Sequence, residues 1–240
     1  ADFFYKERGP DRTPNLDMLL GRGSSFTSFY SVTTTTTPCT ATVLTGMYPI
    51  THGVRAHSGY RLRPNVKTLT ERLRSVGYHT VARMTGPLGP ETDIYRGFHD
   101  YEHRDCKETV FGKFGDCFFD ELRSLQSQSP WFVFLHIWVL HMPLPAKSKE
   151  KLTYHFPLGP LLWTVQVLDN SIAWKKILFE LGLLSPITRL YKRIAYERTL
   201  VSLDRGFLSR LIQEMDPDDT VLAIIGDHGE FVDYNTDTIA

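Results

Sequence analysis

The chain has 240 residues, 42% of them hydrophobic and 22% charged, with 27 Lys+Arg against 27 Asp+Glu. That composition is ordinary for a globular protein and suffices for one large domain or two small ones. Zero net charge offers no bulk attraction to nucleic acid or to a membrane surface, so no nucleic-acid partner is expected.

No apolar run reaches the ~18 residues of a membrane span. The longest, Trp131 to Leu140, is interrupted by His136. The three cysteines, Cys39, Cys106 and Cys117, have no CxxC spacing. Neither a zinc knuckle nor a disulfide framework follows, and a Cys106–Cys117 bridge and free thiols both stay open.

Thr13-Pro14 followed by "NLDMLLGRG" predicts a short helix, with Thr13 as cap, Pro14 in the first position and Gly21 or Gly23 as the stop. "SSFTSFYSV" alternates polar and apolar residues, which predicts a strand. "NVKTLTERLRSVG" predicts a helix with Val66, Leu69, Leu73 and Val76 on one face, stopped by Gly77 and followed by the strand "YHTVARM". "FDELRSLQS" reads as helix and "WFVFLHIWV" as a fully buried strand, with His136 a satisfied core histidine. "RIAYERTLVSLDRGFLSRLIQEM" predicts a long amphipathic helix. "TVLAIIGDHGE" predicts a buried strand ending on a polar turn. Helices alternating with buried strands imply an α/β fold, and such folds place functional residues at the C-terminal ends of strands. A helical or irregular insertion is expected at about residues 143–190, within a single domain over 1–240.

The run Thr33 to Thr37, followed by Pro38, reads as a helix start, with Thr37 as cap, Val43 and Leu44 inward and Gly46 as the stop. Thr36 then sits just outside the helix N-terminus, where free N–H groups and the dipole favour an anion. Two readings are open: a capping threonine, or a nucleophile whose hydroxyl a dication acidifies. Asp227-His228-Gly229 likewise reads either as a metal-ligand pair at a strand end or as a polar turn. His141, before Met142-Pro143, is either a substrate-contacting histidine or an ordinary loop histidine. Arg55 can face the site, while His52 packs the turn after the threonine helix.

The ordered phrases "TPNLD", "FTSFYSV", "TTPCTATVLTGMYPITHGVR", "LTERLRSVGYHTVA", "GFHDYE", "HIWVLHMP" and "IIGDHGE" resemble the sulfatase family of the alkaline-phosphatase superfamily, nearly end to end. The resemblance implies a mixed, mainly parallel central sheet sandwiched by helices, a divalent-metal site and a covalent intermediate. It also implies a chain truncated at both ends, since the family's first metal-binding Asp would lie upstream of Ala1 and Asp2 matches a later, non-ligand position. Further family strands and ligands would follow Glu230.

The family's C-x-P-S-R nucleophile motif falls on Thr36-Thr37-Pro38-Cys39-Thr40. A threonine replaces the oxidisable residue, so no formylglycine is expected, and Cys39 falls at the Ser position among the substrate-binding residues. Related phosphodiesterases resemble T-x-P-N-x-x-T-x-x-T-G-x-Y-P-x-x-H-G, matched by Thr36, Pro38, Thr42, Thr45, Gly46, Tyr48, Pro49, His52 and Gly53. The resemblance therefore implies a metal-dependent hydrolase of phosphodiester, phosphonate or sulfate esters. Thr36 is its nucleophile, and Thr34, Thr35 and Thr37 are fallbacks. Asp227, His228 and Thr36 hold Zn, Mn, Ca or Mg, His141 contacts the transferred group or leaving group, and Cys39 and Arg55 bind substrate.

The expected partner is a small-molecule, lipid or glycan ester. The alternatives are a strict sulfatase, a phosphoethanolamine-type transferase and a non-catalytic family member. Membrane association and oligomeric state stay open, and the chain as given, without a visible leader, leans towards the cytoplasm.

Overall fold

The computed structural model of the chain describes residues 12–105, 108–127, 130–141 and 195–229. These divide into two compact units, one over 12–138 and 203–229, the other holding 139–141 and 195–202. The expected insertion at about 143–190 lies outside the described residues.

In the first unit, α1 (Pro14–Arg22) starts after Thr13, with proline in its first turn, and ends at Gly23. α2 (Thr36–Thr45) carries the threonine run and ends where Gly46 turns left-handed at φ 68°, its N–H bonding Thr42 O at 2.8 Å. Glycine adopts that conformation without a Cβ penalty. α3 (Pro49–His52) is a single turn. α4 (Leu69–Ser75) opens with a full capping box: Thr68 Oγ1 accepts from Glu71 N at 3.0 Å, and Glu71 Oε2 accepts from Thr68 N at 2.8 Å. The strands are β1 (His79–Thr85), β2 (Asp100–Arg104) and β3 (Trp131–His136), with α5 (Lys113–Gln126) between the last two.

The strands form a parallel sheet in the order β2-β1-β3, with Val81 opposite both Asp100 and Val133. Strand alternation puts Ala82 and Met84 on one face of β1 and Val81 and Arg83 on the other. Ala82 and Met84 join Ala41 and Leu44 of α2, with Val54, Leu62, Leu88, Ile94 and Phe98, in one buried cluster. Arg83 instead binds Glu121 of α5 and Asp100 of β2, the latter at 2.5 Å. The sheet is thus sandwiched by helices, as the sequence implies.

A π-helical segment (Leu203–Leu208) and α6 (Ser209–Glu214) complete this unit. Phe207 packs on Phe118 and Phe119 of α5. Arg123 of α5 grips Glu214 with two bonds of 2.7 Å. Buried Asp204 caps α1 from the far end of the chain, accepting from Leu16 N at 2.8 Å and Asn15 N at 3.2 Å. A carboxylate satisfies the free N–H groups of that first turn and complements its dipole. In the second unit, residues 195–202 are helical, with Ala195, Thr199 and Leu200 buried.

Several expectations are corrected. Residues 24–31 join no ladder among the described residues, and Phe26, Phe29 and Tyr30 are exposed. The run 220–226 is likewise no strand, and Val221 is 96% exposed. Strand propensity is realised only against a ladder partner and a packed face, and neither segment has one here. β3 is a strand but only partly buried, because β1 is its sole ladder partner among the described residues. α4 begins after Val66 and leaves Val76 exposed, so its inward face is not the one the spacing indicated. The long amphipathic helix is interrupted by the π segment at 203–208. Cys117 is a free, exposed thiol, which excludes the bridge to Cys106.

Candidate functional site

The N-terminus of α2 is the centre of the site. Thr35 is its N-cap and Thr36 its first helical residue, so the helix begins two residues earlier than Thr37 as cap would require. Thr36, Thr37, Cys39 and Thr40 are all buried.

The first two threonines are held in different directions. Thr36 Oγ1 lies 2.9 Å from His228 Nε2, across 192 residues of sequence. The other ring nitrogen of His228 lies 2.8 Å from Gly229 O, a carbonyl that can only accept. Nδ1 therefore carries the hydrogen and Nε2 the lone pair, a tautomer assigned from the network. The Thr36 hydroxyl donates to it. A hydroxyl, an imidazole and a carbonyl that orients the ring thus stand in line.

Thr37 Oγ1 lies 2.7 Å from Pro87 O and 2.8 Å from His57 Nδ1. Its one proton goes to the carbonyl, so His57 Nδ1–H donates to Thr37. The sequence reading did not single out His57. It sits in "RAHSG", a polar loop with no periodicity or spacing to mark it, and only the fold brings it to Thr37.

Asp227 completes the cluster. Its Oδ2 is buried with no hydrogen-bond donor among the described residues and stands 3.4 Å from His228 Nε2. Two acceptors facing one another in a desolvated site lack a positive partner. A carboxylate oxygen, an imidazole nitrogen and the Thr36 hydroxyl are donors a divalent cation takes, so the residues fit one. Among the described residues, no group of three or more His, Cys, Asp or Glu side chains forms a metal cluster, so the hydroxyl would be the third donor.

His136, the last residue of β3, gives its Nδ1–H to Thr85 O at 2.8 Å. Burial pushes its imidazole below the ordinary histidine range, the Asp227 carboxylate opposes that shift, and His228 adds to it. His136 is thus a neutral ring at the edge of the Asp227–His228 cluster. Cys39 Sγ is committed to Thr33 O at 3.2 Å. Burial raises its thiol above the usual range, the Thr33 carbonyl bond opposes this, and the Asp227 charge adds to it. Cys39 is therefore a protonated thiol that ties down the loop before α2. Thr40, where the family motif has Arg, buries an Oγ1 with no partner among the described residues.

His52 is fully buried, accepting from Val54 N at 3.1 Å and facing Thr42 Oγ1 at 3.1 Å, so it ties α2 to the turn that follows. Arg55 is exposed on the loop beyond α3. His141 belongs to the second unit and is the last residue described before 195. An open concavity of about 520 Å³ is lined by Arg61, Pro90, Glu91, Asp93, Tyr95 and Tyr101, none of them a residue of this cluster.

The parallel α/β sheet thus brings the N-terminus of α2 together with the Asp227–His228 pair. The family model for Sulfatase matches residues 2–238, and the chain belongs to the sulfatase family of the alkaline-phosphatase-like superfamily. It is similar in structure to BT1596, described as a 2-O GAG sulfatase, with TM-score 0.56 and 15% sequence identity. The match covers 89% of this chain and 50% of that one, so the chain spans about half the length of that relative. At that identity the likeness speaks for the fold. Members of that family generally use a divalent metal.

Proposed function

We propose that the chain carries the nucleophile half of a metal-dependent hydrolase that cleaves phosphodiester or phosphonate esters through a covalent intermediate on Thr36. The observation that carries this is the 2.9 Å bond from Thr36 Oγ1 to His228 Nε2. Thr36 attacks the phosphorus, the bond to the leaving oxygen breaks, and water later releases the group from Thr36. Free N–H groups in the first turn of α2 meet the non-bridging oxygens. Asp227 and His228 would hold the ion, with Thr36 as third donor, and the ion would acidify the hydroxyl and offset developing charge. His228 Nε2 serves deprotonation in either use, as acceptor of the proton or as ligand. His141 is assigned to the substrate oxygens or leaving group, and Cys39 of α2 and Arg55 of the loop after α3 to substrate binding.

A second reading rests on the solved relative, a 2-O GAG sulfatase. It makes the substrate a sulfuric ester on a glycan. Threonine at position 36 argues for phosphorus, because it does not become formylglycine by oxidation of Cys or Ser.

The test uses the full-length protein with Mn²⁺ or Zn²⁺ and three substrates: bis-p-nitrophenyl phosphate, a phenyl phosphonate ester and p-nitrophenyl sulfate. Diester or phosphonate turnover should fall by about 10³-fold or more in Thr36→Ala, as for loss of a nucleophile. It should fall on chelation and in Asp227→Asn. Turnover of sulfate alone selects the second reading, and activity indifferent to Thr36 overturns the first.

A further inference from the structure

We propose that His57 is a further catalytic residue of this site, exchanging a proton with the leaving-group oxygen through its Nε2. The inference rests on Thr36 being the nucleophile and adds a residue to that reaction.

The argument begins at Thr37, fully buried and next to Thr36 in the first turn of α2. Its hydroxyl has two neighbours, Pro87 O at 2.7 Å and His57 Nδ1 at 2.8 Å. Were its proton given to His57, two bare oxygens would face one another at 2.7 Å. The proton therefore belongs to Pro87 O, and the Thr37 oxygen receives the Nδ1–H of His57. One ring nitrogen is thereby fixed as donor, and Nε2 is left outside this contact.

His57 is itself exposed, on the loop after α3. A buried hydroxyl thus orients an accessible imidazole beside the helix turn that carries the nucleophile. Such an orienting bond is what distinguishes an acid–base histidine from a freely rotating one. The two imidazoles of the site divide along the turn: His228 on the Thr36 hydroxyl, His57 on its neighbour.

The step balances. Thr36 Oγ gives its proton to His228 Nε2 and forms a bond to phosphorus as the bond from phosphorus to the leaving oxygen breaks. That oxygen takes the proton from Nε2 of the His57 imidazolium and departs as the alcohol. In the second half, water gives a proton to the neutral Nε2 and its oxygen attacks phosphorus. The Thr36 oxygen leaves and takes its proton back from His228 Nε2.

The test is kcat/KM over diesters whose leaving groups run from p-nitrophenol through phenol to a simple alcohol. It compares wild type, His57→Ala, His57→Asn, His141→Ala and Thr36→Ala in the full-length protein. The Asn amide keeps a donor to Thr37 and cannot shuttle a proton. A general acid contributes roughly 10²–10⁴-fold, and most where the leaving group is poor. Both His57 variants should therefore lose about tenfold or less with p-nitrophenol and about 10²-fold or more with the alcohol. Wild-type activity in His57→Asn across the series, or an equal loss with every leaving group, would leave His57 a structural residue and overturn the proposal. So would a leaving-group-dependent loss confined to His141→Ala. Full activity in Thr36→Ala, or none in wild type, defeats the nucleophile reading itself and this inference with it.

Discussion

His52 shows what burial does to a single ionisable group. It is fully enclosed, with one ring nitrogen accepting from Val54 N and the other facing Thr42. Burial holds its imidazole below the ordinary histidine range, and a backbone bond to Pro38 opposes the shift. The unfolded chain takes up a proton near pH ~6.5 that the folded ring refuses. Its contribution to stability is therefore complete above that value and is lost as pH falls towards the depressed folded value. The urea midpoint should drop between about pH 7.5 and pH 5.5, and the drop should be smaller in His52→Gln. An unchanged slope would mean that other groups govern the acid limb.

At this scale the residues that meet in the candidate site were legible, and their use was not. Thr36, Asp227 and His228 each stand in a local motif whose residue types single them out. What no local reading contains is the bond between Thr36 and His228. It depends on how a helix start and a turn 192 residues later are brought together. His57 was illegible for the same reason, since its partner Thr37 is supplied by the fold.

Among the elements, local signals succeeded where the chain satisfies itself. The capping box at Thr68 and Glu71 and the left-handed Gly46 are written in a few adjacent residues. Thr68→Ala should lower stability by about 1–2 kcal/mol, read as a fall in melting temperature with activity per folded molecule retained. Gly86 supports a different prediction. Its φ is +83°, and a Cβ there would run into the Trp138 ring. Gly86→Ala should cost roughly 1–3 kcal/mol for overpacking, with left-handed strain in addition. Trp138→Leu in the same chain should recover part of the loss, because it removes the ring and not the strain. Local signals failed at residues 24–31 and 220–226, where alternation or an apolar run counts only if another strand supplies the ladder. They failed also at the interruption of the late helix, where Asp204 turns inward to cap α1.

Taken as a whole, the first unit is held by one cluster of side chains on each face of its sheet. On the α5 face, Arg83 is a buried cation among Asp100, Glu102 and Glu121. Burial raises the Glu121 carboxyl above its usual range, and Arg83 opposes that shift. Arg83→Met would leave those acids without their central cation. Asp100 and Glu102 are exposed enough for water to screen much of the loss, so a penalty of about 1–3 kcal/mol should appear at neutral pH. It should shrink in acid, where the orphaned carboxylates can take up protons. An equal penalty at both pH values would assign the loss to packing alone.

The long-range bonds carry a consequence for when the site is assembled. Thr36 meets His228 over 192 residues, and Asn15 meets Asp204 over 189. On the ribosome Thr36 is made ~10–40 s before His228, at synthesis rates of roughly 5–20 residues per second. For that time its hydroxyl lacks its imidazole partner. The contact is therefore made late in the life of the nascent chain, and a product interrupted before His228 never forms it.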